Sequence, residues 1–307
     1  MKRIVEYLVR FVKKDFDPWI YGITAAALAA AMFFNFKFDF EDSILDQAFA
    51  GKWYGWPAYF LYFAIPYFFV ILLYLVFQRS RKPLASQRFW LKSLFILGLL
   101  SFKVYFFYHQ LLLPKSLPFS EFYALSKISN KLVNVAIYAI GIIGFYKFLE
   151  VENKTWYGFT RKGFHWQPYA IMLLLMVPLI YWASTQTDFL SAYPRLQPKY
   201  FPENYWKYFA AFEPFYLTEF VMIEWLFRGF LVVGMIKLLG HRAVLPMVVL
   251  YCVFHFGKPL GECIGSIFGG YILGVIAYYS RSIWGGILIH MGVAALMDLA
   301  AIAQNMF

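Results

Sequence analysis

In the last third of this 307-residue chain, strongly apolar sequence carries the ionisable side chains Glu219, Glu224, Arg228, His255, Glu262, His290 and Asp298. Carboxylates and imidazoles in one place can move protons and activate water for hydrolysis. Inside a membrane such groups are costly and normally face an interior or a wet cavity. The stretch "MIEWLFRGF", Met222 to Phe230, sets Glu224 and Arg228 one helical turn apart. That spacing suits an ion pair on one helix face, which would fix the helix and orient Glu224.

The positions agree in depth. At about 1.5 Å per helical residue, Glu224 and His255 each lie roughly 18 Å from the cytoplasmic end of their apolar runs, and His290 roughly 12 Å from that of its own. Three separate helices would thus deliver polar groups to one level, and we expect a shared site built on Glu224, His255 and His290. Two histidines and a glutamate could alternatively hold zinc.

The elements that must position these groups are membrane helices. The composition is 62% hydrophobic and 23% aromatic, well above a soluble domain. The apolar runs are continuous, not alternating, which argues against a barrel. Nine runs are readable: Trp19–Phe36, Trp56–Phe77, Phe89–Tyr108, Leu132–Leu149, Tyr169–Ser184, Phe209–Ile236, Val244–Phe256, Gly261–Tyr279 and Ile283–Ala303. The fold class expected is all-α: a polytopic helical membrane protein of about nine transmembrane helices.

The net charge of +11 follows membrane topology and not nucleic acid. Lys2, Arg3, Arg10, Lys13 and Lys14, then Arg79, Arg81, Lys82 and Arg88, then Lys147, Lys154, Arg161 and Lys162, then Lys237 and Arg242, then Arg281 fall in alternate loops. All are therefore assigned to the cytoplasm, with the acidic loop around Asp42 and the C-terminus outside. Residues 1–16, basic and amphipathic and without a signal-peptide core, read as a cytoplasmic helix on the inner membrane surface. Residues 17–197 read as aromatic-rich transmembrane helices, and residues 198–307 as a glycine-dense core. There "GSIFGGYILG" spaces Gly265 and Gly269, and Gly270 and Gly274, four apart, which would let helices approach closely. Cys252 and Cys263 read as buried inert thiols.

Other membrane-protease signatures are missing: there is no HExxH, no GxSG and no GxGD in the chain. The three polar motifs instead resemble the CPBP family of CAAX prenyl endopeptidase-like and bacteriocin-processing membrane proteases. "IEWLFRG" matches the second glutamate and the arginine of EExxxR as Glu224 and Arg228. "YCVFH" matches FxxxH as Tyr251 and His255, and "HMGVA" supplies His290 of the HxxxN motif. The resemblance covers roughly Phe209 to Ala301 and makes 198–307 a CPBP-like core. Two positions depart from it: the first glutamate is Ile223 and the asparagine is Ala294. Glu219 and Asp298 lie one turn from those positions on the same faces, and Glu262 is near the same end.

The resemblance implies an intramembrane endopeptidase acting on a membrane-associated protein or peptide. A carboxylate, Glu219 or Glu224, would act with His255 to deprotonate water, and His290 would donate to the oxyanion. It favours a site without a cofactor, zinc remaining the alternative. The expected partners are membrane lipids, the substrate and a membrane complex, with no nucleic acid. The expected location is a bacterial inner membrane. The departures at Ile223 and Ala294 keep a second reading open, a catalytically silent scaffold or accessory subunit. A third, a proton-relaying transporter, lacks the paired repeats expected of one.

Overall fold

The computed structural model describes residues 1–49, 52–78, 84–106, 111, 113–150, 155–162 and 164–306. Arg79, Arg81, Lys82 and Lys154, and the end of the third apolar run at Tyr108, lie outside them. Among the described residues the chain is helical and has no strand. Five helices are long and apolar enough to cross a membrane: Pro18–Phe38, Gly55–Gln78, Phe119–Leu149, Leu260–Ser280 and Trp284–Gln304. These correspond to five of the nine expected runs.

The other four runs differ for local reasons. Gln87–Tyr105 is long enough but carries Arg88, Lys92 and Lys103. Gln167–Ala183 has 17 residues. The long sixth run is not one helix. It is α-helical over Tyr205–Glu224, π-helical over Trp225–Val232, and then short and broken to Leu239. The seventh is a helix of only 10 residues, Val244–Val253, about 15 Å long.

The chain divides into two compact units, Met1–Tyr105 with Glu152–Phe164 and Trp225–Trp284, and Phe106–Val151 with His165–Glu224 and Gly285–Phe307. In the first, α1 (Lys2–Asp15) is followed by α2 (Pro18–Phe38), which starts where Asp17 accepts the amide hydrogens of Trp19 and Ile20. Proline at the first helical position is pre-set for that start. Next come α3 (Gly55–Gln78) and α4 (Gln87–Tyr105). After the segment around Tyr157 and the π-helical stretch come α8 (Val244–Val253) and α9 (Leu260–Ser280). The N-terminal helix α1 turns Phe11 inward, edge-on to Tyr271 and Tyr278 of α9.

Only one of the two glycine pairs on α9 serves helix packing. A Cβ on Gly274 would lie 2.6 Å from the Met247 side chain, and one on Gly270 3.2 Å from Tyr251. Both face α8. Gly265 and Gly269 meet nothing within 4 Å, because they fall on the helix face turned away from α8. Cys252 and Cys263 are buried free thiols with sulfurs 3.8 Å apart.

In the second unit, α5 (Phe119–Leu149), α6 (Gln167–Ala183) and α7 (Tyr205–Glu224) pack with α10, which runs Trp284–Met306 and belongs to this unit from Gly285 onward. Helix α5 begins at Phe119, well before the expected Leu132. Its added turns carry Lys131, which hydropathy alone reads as loop and which finds a polar partner described below. Phe209, Phe212 and Tyr216 of α7 share one apolar cluster with Ala294 and Ile302 of α10. A second cluster joins Ile180, Phe189, Tyr193, Met297 and Ala301.

Candidate functional site

Glu224 is the last residue of α7 and is fully buried. Its Oε1 lies 2.9 Å from Nδ1 of His290 on α10. The approach needs small residues on α10. Gly286 lies one turn before His290 on the same face, and a Cβ there would overlap Oε2 of Glu224. Its neighbour Gly285 meets the ring of Tyr169 on α6 in the same way, and a Cβ on Gly292 would come 2.6 Å from Leu173, one turn further along α6. The glycines of "WGGILIHMG" therefore let α10 settle against α6 and α7 together. Phe220, one turn before Glu224, packs its ring 4.4 Å from the His290 imidazole. Glu224 has no exposed side-chain surface and His290 has 14%. The carboxylate is enclosed and the imidazole is its outlet.

The Nδ1 contact decides the histidine tautomer. With Nδ1–H directed at a carboxylate, the lone pair is on Nε2, and the carboxylate stabilises the imidazolium when Nε2 takes a proton.

Glu219, a turn and a half before Glu224, is held elsewhere. Its Oε2 lies 2.6 Å from Lys131 Nζ, and its Oε1 accepts from Asn134 Nδ2 at 2.7 Å, both on α5. The lysine also sits 5.2 Å over the ring of Tyr216. This is a largely buried ion pair whose second carboxylate oxygen is also hydrogen-bonded, which helps to offset the cost of burial. Asp298 is fully buried on α10, and its Oδ1 accepts the amide hydrogen of Arg195 at 2.9 Å. Ile223 is buried, and Ala294 packs in the apolar cluster with Phe212 and Tyr216.

The other expected site residues belong to the first unit. Arg228 is buried in the π-helical stretch with its guanidinium carbon 4.2 Å over the Tyr251 ring. Tyr251 also packs 4.4 Å from the ring of His255. His255 lies two residues past the end of α8, in a turn. Its Nδ1 is 2.7 Å from the carbonyl of Tyr251, which fixes Nδ1 as the donor. The π-helical stretch is shaped by Tyr157, whose backbone is left-handed at φ 53. A Cβ on Gly229 would lie 2.7 Å from the Tyr157 carbonyl, and one on Gly234 2.9 Å from its ring. Lys92 of α4 closes the end of the stretch by donating to the Gly234 carbonyl at 2.7 Å. Glu262 makes an i,i+4 pair with Lys258 at 3.7 Å.

Several of these residues escaped the sequence reading. Lys131 and Asn134 sit at the polar edge of an apolar run. Gly286 had a visible signal, the double glycine one turn before His290. Another polar group, Glu41, Asp42 and Asp46 in the π-helical segment Phe40–Asp46 after α2, brings three carboxylates together. Burial and the neighbouring Asp46 raise the Glu41 carboxyl to about 8.

The long apolar helices and the polar groups buried among them define a multi-pass integral membrane protein. Residues 205–296 match the family model described as Type II CAAX prenyl endopeptidase Rce1-like. The matched stretch is similar to the Rce1-like members of the CPBP family and holds Glu224, Arg228, His255 and His290. No curated protein and no solved structure matches the chain.

Proposed function

We propose that the protein is an intramembrane endopeptidase of the CPBP glutamate and histidine type, cleaving a membrane-associated protein or peptide. The observation that carries the reading is the 2.9 Å contact between a fully buried Glu224 and a partly open His290. In this reading His290 Nε2 takes the proton from the attacking water, and Glu224 holds the tautomer and stabilises the imidazolium. This reverses the expectation that a carboxylate contacts the water, because Glu224 is enclosed and His290 is not. Glu219, held by Lys131 and Asn134, serves structure. With His290 as the base, His255 takes the oxyanion role that the family motifs gave to His290, and Arg228 is a fixed charge. The reading uses no cofactor. Zinc analysis of the purified protein against His255→Ala tests the metal alternative on Glu224, His255 and His290. The N-terminus lies inside, as the alternate basic loops support, and the membrane is taken as a bacterial inner membrane.

The second reading, a silent scaffold, is favoured by Ile223 and Ala294 at two positions where the family has polar groups. The test is cleavage, followed by mass spectrometry, of a farnesylated peptide ending in a CAAX box and of the membrane proteome of the expressing cells. Wild-type protein cleaves, and His290→Ala and His255→Ala do not while remaining folded. Full cleavage by both variants would sink the protease reading. No cleavage by wild type, with intact assembly of a partner complex, selects the scaffold.

A further inference from the structure

The turn that carries His255 is held from both sides of the histidine by groups outside the family domain. Helix α8 ends at Val253, and the turn after it is closed by backbone bonds from Phe254 to Leu250, from His255 to Cys252 and from Phe256 to Val253. Two carbonyls of this turn are also met from the N-terminal helices. Asn35, buried near the end of α2, donates from Nδ2 to the Phe256 carbonyl at 3.0 Å. Tyr62 of α3 directs its hydroxyl at the Val253 carbonyl at 3.4 Å.

The asparagine is itself fixed. Its Oδ1 accepts the amide hydrogen of Glu41 at 3.1 Å, just after α2 closes through left-handed Asp39 at φ 50. The Glu41 side chain then lies against the turn: a Cβ on Gly257 would overlap its carboxylate. Aromatic rings complete the support. Tyr62 packs 6.5 Å from Phe256 and stacks 6.4 Å from Phe40, and Phe63 lies 6.3 Å from Phe254. Residues 253, 254, 256 and 257 are therefore gripped, and His255 stands between them.

We infer that Asn35, with Glu41 and Tyr62, forms a strut that positions the His255 imidazole. Asn35 is the central member, because one side chain joins the carbonyl after His255 to the backbone of the acidic turn. An asparagine amide in an apolar helix is costly unless both its ends are satisfied, and here both are. The backbone bonds and the Nδ1 contact with Tyr251 hold His255 within its turn, and the strut fixes that turn against the N-terminal helices. The inference rests on the reading of His255 as part of the hydrolytic machinery, but the strut itself is a matter of geometry. These are positioning residues, acting through His255.

The test uses the full chain in lipid nanodiscs with 13C-labelled histidine. There are five histidines, and a His255→Gln control assigns the ring signal of His255. Asn35→Ala removes both hydrogen bonds. Asn35→Asp keeps the acceptor for the Glu41 amide but loses the donor to Phe256. Tyr62→Phe removes only the bond to Val253 and keeps the ring. If Asn35→Ala fails to fold, the other two variants carry the comparison. The expected result is a His255 signal that shifts or broadens in the Asn35 variants while that of His290 stays. Turnover of the farnesylated CAAX peptide falls between about tenfold and about a hundredfold with KM unchanged, as expected of a misplaced catalytic group. An unchanged His255 signal in the Asn35 variants overturns the strut, whatever the activity does. A shifted signal with no cleavage by the wild type leaves the strut standing and removes the protease reading instead.

Discussion

Gly286 leaves the space that the Glu224 carboxylate fills: a β-carbon at that position would overlap Oε2. The overlapped atom is the end of a flexible side chain, so Gly286→Ala moves the carboxylate more readily than it unfolds the helix pair. The displaced group loses its contact with His290. We expect a stability loss of about 1–3 kcal/mol, the usual range for overpacking, together with loss of nearly all turnover. Thermal unfolding in detergent alongside peptide cleavage checks this. Wild-type turnover in Gly286→Ala would show that the Glu224–His290 contact is dispensable.

Glu219 and Glu224 should separate by the kind of damage their removal does. Glu219→Gln leaves Lys131 buried without its counter-charge, which typically costs about 3–5 kcal/mol. Folded yield should fall, and Glu219→Leu combined with Lys131→Met should restore much of it. Glu224→Gln should instead keep the fold and lose turnover. Cleavage rates normalised to folded protein, measured for both single variants, decide. A normal yield of Glu219→Gln without any activity would return Glu219 to the catalytic role.

A pH test falls on the N-terminal helix. Asp15 accepts hydrogen bonds from Tyr21 and Tyr74, and His241 Nε2 lies 3.5 Å from its other oxygen. Burial pushes Asp15 up from 3.8 to about 6, against those phenol bonds. Burial, with the charges of Lys14 and Arg242, pushes His241 down from 6.5 to about 4. Between 3.8 and about 6 the folded chain keeps an Asp15 proton that the unfolded chain has lost, so this group's contribution to stability falls as pH rises. Between about 4 and 6.5 the folded chain lacks a His241 proton that the unfolded chain keeps, so that contribution rises with pH. The two slopes oppose, and docking of α1 should change little over this window. Asp15→Asn should make it more stable toward higher pH, and His241→Gln less stable. Hydrogen exchange of residues 2–15 against pH reads this. Parallel slopes in the two variants would contradict it.

Topology is open to direct labelling. Asp42 is exposed in the turn after α2, whereas both native cysteines are fully buried. Asp42→Cys should therefore react with an impermeant maleimide added to intact cells. Labelling that needs permeabilised cells would invert the assignment of sides.

Residue type and spacing made much of this protein readable. Continuous apolar runs announce membrane helices because each crossing must bury its own backbone polar groups. The order of the three motifs is a local fact of the sequence, whereas the i,i+4 face shared by Glu224 and Arg228 assumed an α-helix that ends at Glu224. Depth along the helices put Glu224, His255 and His290 near one level, and of these Glu224 and His290 are in contact. Hydropathy could not show where helices stop being regular. Trp225–Val232 is as apolar as an α-helix would be, and its π geometry answers to Tyr157 pressed against Gly229 and Gly234, about 70 residues away along the chain. The early start of α5 was hidden because Lys131 looks like loop until Glu219, distant in sequence, is placed beside it. The same holds at the site. Glu219 and Glu224 are equal candidates in the sequence, two acids on one apolar helix. Tertiary packing alone assigns one to Lys131 and Asn134 and the other to His290, because a buried carboxylate takes its role from the donors that enclose it.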